Sequence, residues 1–190
     1  LYATVLLFYL SLKLSIMKKS ILLSLLFSQI LFLFPSYGQE YQTSIKLDSM
    51  VWNKINEFRV SKDACLKGVP KPKALKIFDL GTMRDFCYEV TYRNTSKGFD
   101  VSGHTSIDEL TKTATGECLY KLRTTIEVDL SDEKTLDELS TRIVNAWIDS
   151  WTHKVVLQWY SNTASTVTSL LHITDDGRTN INVTLHTRDK

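Results

Sequence analysis

The chain has almost no excess charge, no internal repeat, no low-complexity tract and few cysteines. It carries 23 Lys and Arg against 21 Asp and Glu. Three of the bases, Lys13, Lys18 and Lys19, fall within the first 38 residues, which hold no acid; removing them leaves 20 bases to face 21 acids from Gln39 onward. A near-neutral surface gives no footing to a nucleic acid, which calls for clustered positive charge. There is no phosphate loop, dinucleotide fingerprint or paired-cysteine zinc motif, and no nucleophile elbow. The three cysteines, Cys65, Cys87 and Cys118, are odd in number, so at least one thiol stays unpaired or pairs between molecules.

What is present begins with a leader. Met17 is followed by Lys18 and Lys19, and Ile21 to Phe34 is apolar apart from Ser24, Ser28 and Gln29. Pro35 breaks the run, and Ser36 and Gly38 put small residues at the −3 and −1 positions before Gln39. This is the pattern of a cleavable signal peptide over 17–38. The run is shorter than the roughly 20 apolar residues of a spanning helix. No cysteine stands at the boundary to carry a lipid. Residues 1–16 are read as upstream translation, with a longer membrane segment as the rival, 17–38 as the leader, with an uncleaved anchor as its alternative, and 39–190 as one domain. The expected location is secreted or periplasmic, where disulfides persist.

Periodicity in the domain predicts helices first and strands last. Asp48 can cap a helix to Val60, with Val51, Ile55 and Phe58 at helical spacing and Trp52 alongside. Ser61 to Pro72 reads as a loop. A second helix is predicted over Ala74–Tyr92, its stripe made by Ile77, Leu80, Met83 or Phe86, Cys87 and Val90. Thr125 to Asp129 alternates as a strand or an extended loop. A third helix, capped by Ser131 or Thr135, carries Leu136, Leu139, Ile143, Trp147 and Trp151. Thr135 with Glu138 fits a capping box. Thr166–Ile173 and Asn180–His186 are β-rich and joined by Asp175-Asp176-Gly177, a hairpin signal. The class is α+β, helices packed on an antiparallel sheet with a C-terminal hairpin.

Several fragments, in order, resemble the CAP superfamily, which comprises cysteine-rich secretory proteins, antigen 5 and pathogenesis-related proteins and is also called the SCP domain. Ile55-Asn56-Glu57-Phe58-Arg59 is similar to the family's first-helix pattern, and Leu80–Val90 falls where its second helix does. His104 follows a polar loop like the first cavity histidine. Gly116-Glu117-Cys118 resembles the family's Gly-Glu-Asn, and Trp147 to His153 resembles the bacterial segment with a tryptophan, a serine and a histidine. Cys118 departs from Asn, Thr152 stands in place of a small residue, and Ser150 falls where animal and plant members carry a second glutamate.

The resemblance implies an α-β-α sandwich and a cleft formed by His104, Glu117 and His153, with Trp147 and Ser150 beside it. Two imidazoles and a carboxylate suit a divalent metal such as Zn2+. Taken singly, His104 also reads as a solvated loop residue, Glu117 as a structural acid in a turn, and His153 as a helix C-terminal cation. His172 and His186 read as ordinary strand residues. The resemblance also implies a Cys87–Cys118 disulfide. It further implies a non-enzymatic binding module whose partner is a lipid- or sterol-like molecule or a protein. Trp151, Trp159 and Tyr160 lie near the cleft segment, although aromatic residues of this kind are mostly core. The alternatives are a metal-dependent hydrolase or peptidase with Glu117 as base, and an envelope structural or interaction protein with a vestigial cleft.

Overall fold

A computed structural model of the chain describes residues 41–78, 81–97, 103–125 and 128–189. The expected leader, the stretch before it, Leu80, and Ile126 with Glu127 lie outside these residues. In chain order the elements are β1 (Tyr41–Thr43), α1 (Ile45–Val60), β2 (Ile77–Phe78), α2 (Gly81–Ser96), α3 (Ile107–Leu110), β3 (Gly116–Thr124), α4 (Glu133–Asp149), α5 (Trp151–Gln158), β4 (Asn162–Ile173) and β5 (Thr179–Asp189). Four strands form an antiparallel sheet in the order β1-β4-β5-β3, and the short β2 lies parallel along β4. Helices cover both faces, so the architecture is an α-β-α sandwich of the α+β class. The closing hairpin turns through Thr174–Arg178, where Gly177 takes φ +75° and its N–H donates to the Thr174 carbonyl (2.8 Å). Glycine fits that left-handed position without the steric cost a side chain would bring.

Side chains on successive strand residues point to opposite faces, and the two faces differ. Val167, Leu171, Ile181, Val183, Leu185 and Cys118 form one apolar core with α1, α4 and α5, where Leu47, Val51, Ile55, Leu136, Ile143, Trp147 and Leu157 meet them. The opposite face, under α2, carries Glu117, Thr166, Thr168, Asn182, Thr184 and His186, all buried.

The helix starts show how tertiary partners override local pattern. α1 is capped by Ser44, whose side chain accepts from the Leu47 N–H (3.1 Å), so the helix begins before Asp48. α2 begins at Gly81 rather than Ala74. The chain before it stays extended because its backbone finds partners elsewhere: the Leu75 N–H donates to Asn56 Oδ1 (2.7 Å) and the Lys76 N–H to the Thr163 carbonyl (2.9 Å). Met83, not Phe86, belongs to the buried stripe with Cys87 and Val90. Neither Ser131 nor Thr135 caps α4; Asp132 does, accepting from the Thr135 N–H (2.9 Å). At Ser150 (φ −87°, ψ 116°) the helix ends and α5 starts. Trp151 therefore leaves the stripe that Trp147 closes: Trp147 is 1% exposed and Trp151 71%.

Arg59 of the Asn-x-x-Arg segment is wholly buried and ties four places together. Its guanidinium donates to the carbonyls of Lys73, Leu157, Trp159 and Asn162. Burial lowers its pKa to about 10, so it stays charged at neutral pH and knots the end of α1 to the α5–β4 connection.

The expected Cys87–Cys118 bridge is corrected: all three thiols are free. Cys87, on the sheet-facing side of α2, lies against the carbonyls of Thr184 and Thr166, while Cys118 sits in the opposite core. The sheet separates them, and a disulfide needs Cβ atoms roughly 3.5–4.5 Å apart. Burial pushes the Cys87 thiol up to about 12, and burial with the Glu117 charge holds Cys118 well above its ordinary range.

Candidate functional site

Glu117 is the second residue of β3 and projects onto the α2 face of the sheet. Its register partner is His186 of β5, and the two side chains meet: His186 Nε2 lies 2.8 Å from Glu117 Oε2. Two further donors come from Thr105, its N–H to Oε1 (2.9 Å) and its hydroxyl to Oε2 (2.6 Å). His104 Nδ1 completes the set at 3.0 Å from Oε1. Asn94 at the end of α2 holds this loop, its Oδ1 accepting from the Gly103 N–H (3.1 Å).

His153 arrives from the other layer. It is carried by α5, and its Nε2 lies 3.4 Å from His104 Nε2, the rings 5.4 Å apart at 47°. Gly116 allows α5 to come this close. A Cβ there would lie 2.7 Å from Val156 Cγ1 and 2.9 Å from Thr187 Oγ1, so α5 packs on β3 where only a hydrogen fits. The Cys118 thiol, one residue past Glu117, donates to the His153 carbonyl at 3.7 Å.

Sequence position thus separates His153 from the other two expected cleft residues by dozens of residues, and the structure brings His104, Glu117 and His153 together. Trp147 and Ser150 are not part of the group. Trp147 is in the core, and the Ser150 hydroxyl pairs with Thr152 (3.2 Å). Ser150 does not approach a histidine as a nucleophile would. Trp159 and Tyr160 are half-exposed and stacked on each other. Two contributors escaped sequence reasoning, Thr105 and His186. Thr105 left no signal beyond adjacency to His104. His186 shares strand parity with Asn182 and Thr184, a run of polar residues on one face.

The electrostatics follow from burial. Glu117 has 2% of its side chain exposed and His186 none, whereas His104 is 55% exposed. Burial alone would raise the Glu117 carboxyl pKa; the hydrogen bonds from His104, His186 and Thr105 outweigh that and hold it well below the usual carboxylate range. Glu117 is therefore an anion and an acceptor, and the protons lie on His104 Nδ1 and His186 Nε2. His153 is pushed down, first by burial and then by His104, with Glu117 acting the other way.

This charge arrangement changes the expected ligand set. Both Glu117 oxygens are occupied by four donors, so the carboxylate is a positioning group for His104 and not a metal ligand. Among the described residues no group of three or more His, Cys, Asp and Glu side chains is arranged to hold a metal ion. The two Nε2 atoms do fit one. Zinc–nitrogen bonds of about 2.0–2.1 Å at a tetrahedral angle put two ligand nitrogens about 3.3 Å apart, and these stand at 3.4 Å. A ligating histidine that gives its other N–H to a carboxylate is the usual supporting arrangement. Beside His104 lies a polar cavity of about 310 Å³ lined by Arg93, Asn94, Lys97, Ser106 and Glu109.

No protein-family model matches the chain, and no curated protein does. Among solved structures, an outer surface protein from Borrelia burgdorferi is similar with a TM-score of 0.49 and 18% identity, over 80% of this chain and 99% of that one. The protein BmVAL-1 is similar with a TM-score of 0.49 and 15% identity, over 82% of each chain. Both likenesses concern the general course of the chain at low identity. No helix among the described residues is long and apolar enough to cross a membrane.

Proposed function

We propose that this chain is an exported, non-enzymatic binding module of CAP type whose His104–His153 pair takes a divalent transition-metal ion such as Zn2+. The reading is supported above all by the 3.4 Å separation of the two Nε2 atoms, with Glu117 on the far nitrogen of His104. A metal bound there supplies open coordination positions for a donor atom of a partner molecule. The chain's own residues prepare it. Glu117 keeps the proton of His104 on Nδ1, which turns the Nε2 lone pair toward His153. Without a cation, one hydrogen must lie between the two Nε2 atoms. To bind a cation, His153 moves that proton to its Nδ1. Export rests on the 17–38 leader pattern.

The hydrolase reading is weaker on physical grounds. It asks Glu117 to act as a base, yet a carboxylate with four donors and a depressed pKa is a poor proton acceptor. The lipid-like ligand and the protein partner stay with the resemblance that implied them.

Titration of the purified protein with Zn2+, followed by calorimetry, and with Co2+, followed by its visible absorption, checks the metal reading. One site per chain is expected, weakened at least tenfold by His104→Ala and by His153→Ala, and weakening in the wild type in acid, where protons compete with the metal for imidazole nitrogen. Equal binding by the wild type and both variants would sink it.

A further inference from the structure

The carboxylate that orients His104 is itself held from two sides, and the two sides are unequal. Thr105 and His104 belong to a loop, and the His104 ring is more than half exposed. His186 stands in the middle of the sheet's polar face, fully buried, its ring stacked on Phe86 (centroids 5.0 Å apart, planes at 20°). Its Nδ1 is buried and has no hydrogen-bond partner among the described residues. A proton on that nitrogen would be a buried donor without an acceptor, which is costly, the more so for a charged group. The hydrogen this geometry uses is thus the one on Nε2, aimed at Glu117 Oε2. That fixes Oε2, leaves Oε1 to His104 and Thr105, and gives His104 only its Nδ1–H to offer.

We infer that His186 is the positioning residue of this site: through Glu117 it sets the tautomer of His104 and so aims the Nε2 lone pair at His153. The four residues form one connected chain of hydrogen bonds from the polar interior to the surface, with His186 and His104 both donating to Glu117. No motif marks His186, and the resemblance assigns it no role. The affinity part of the test below rests on the metal reading, whereas the tautomer part does not.

Long-range 1H–15N spectra of the histidines at pH 8, with Zn2+ titrations, decide the matter on three proteins. In the wild type, His186 should show its proton on Nε2 and His104 its proton on Nδ1. His186→Phe keeps the stack on Phe86 and removes the donor. In it His104 should become a mixture of tautomers, and Zn2+ affinity should fall about 10–100-fold, the usual effect of losing a residue that orients a ligand. His186→Gln, which retains an N–H, should recover most of both. An unchanged His104 tautomer in His186→Phe overturns the inference, as does a wild-type His104 protonated on Nε2. Should His186→Phe fail to fold, the wild-type spectrum and His186→Gln still decide it. A wild type that binds no Zn2+ but shows the expected tautomers removes the metal reading and leaves this one standing.

Discussion

The two faces of the sheet are built from alternate residues of the same strands and do different things. Leu185 and Cys118 face the side of α1, α4 and α5, and their neighbours His186 and Glu117 face α2. The first face is an apolar interior that holds the domain together. The second is a buried polar layer, which costs stability unless each group finds a partner. Several do: Thr91 donates to Thr184 (2.8 Å), and Glu117 collects its four donors. Others, including both amide atoms of Asn182, find none among the described residues. A polar layer only partly satisfied beneath a helix is a cost to stability, and it carries Glu117 and His186. The face that holds the apolar core and the face that carries Glu117 and His186 are one residue out of phase.

Substitution on the dry face should show the largest effect. Trp147→Ala removes a side chain at the centre of the α4 contact with the core. Loss of its burial together with the cavity left behind is worth about 3–5 kcal/mol. Urea denaturation should show that loss, while the histidine tautomers of whatever remains folded are unchanged. A cost below about 1 kcal/mol, well under the usual range for such a truncation, would mean that the two faces do not divide the work as described.

On the polar face the expected effect is smaller and depends on pH. The Glu117 carboxyl is held below the ordinary carboxylate range in the folded chain. A group depressed in this way stabilises fully above its unfolded pKa, about 4.3, and that stabilisation is lost as pH falls through the folded value. Glu117→Gln should therefore cost about 2 kcal/mol near pH 7, the scale of hydrogen bonds to a charged group. The gap to wild type should narrow once the pH drops below about 4.5, where an unfolded carboxylate begins to take up its proton. His153, whose pKa is lowered on folding, adds its own loss of stability at higher pH, where the unfolded imidazole takes up its proton. Because Glu117 acts on His153, the comparison of the two proteins is read only below about 4.5, where the carboxylate titrates. A gap that widens in acid would contradict an ionised, hydrogen-bonded carboxylate.

How much of this was legible in the chain depended on what each residue needed from afar. The stripes Val51–Ile55–Phe58 and Leu136–Leu139–Ile143–Trp147 were readable because helical spacing alone puts them on one buried side. The Asp175-Asp176-Gly177 turn was readable because its glycine answers a local backbone demand. The start of α2 was not, because Asn56 and Thr163, distant in sequence, take the backbone groups that would have opened a helix at Ala74. Likewise the break at Ser150 has no strong local cause, and Trp151 fits the stripe by spacing while pointing to solvent. His104, Glu117 and His153 were named from a resemblance to a family and converge in three dimensions. The carboxylate's role differs from the one expected, since its occupied oxygens cannot be read from its position. His186 became visible only through the pairing of β3 with β5.

The cysteines give the smallest expected effect and the cleanest check on the two-face division. One buried thiol lies against each face, Cys87 of α2 on the polar side and Cys118 of β3 in the core. In a strand, neighbours point opposite ways, so if Glu117 reaches toward α2, Cys118 cannot. The thiols have no route to each other, and burial keeps both protonated, with Cys87 pushed up to about 12. The thiolate is the form that reacts. Cys65 is the exposed one. Reductant should leave the thermal midpoint unchanged, where loss of a real bridge would cost about 2–5 kcal/mol. Thiol titration of the native protein should find one reactive group, and after unfolding all three. A midpoint that falls on reduction, or a non-reduced peptide joining Cys87 to Cys118, would require the strand parity of β3 to be wrong. The position of Glu117 beside His186 would fall with it.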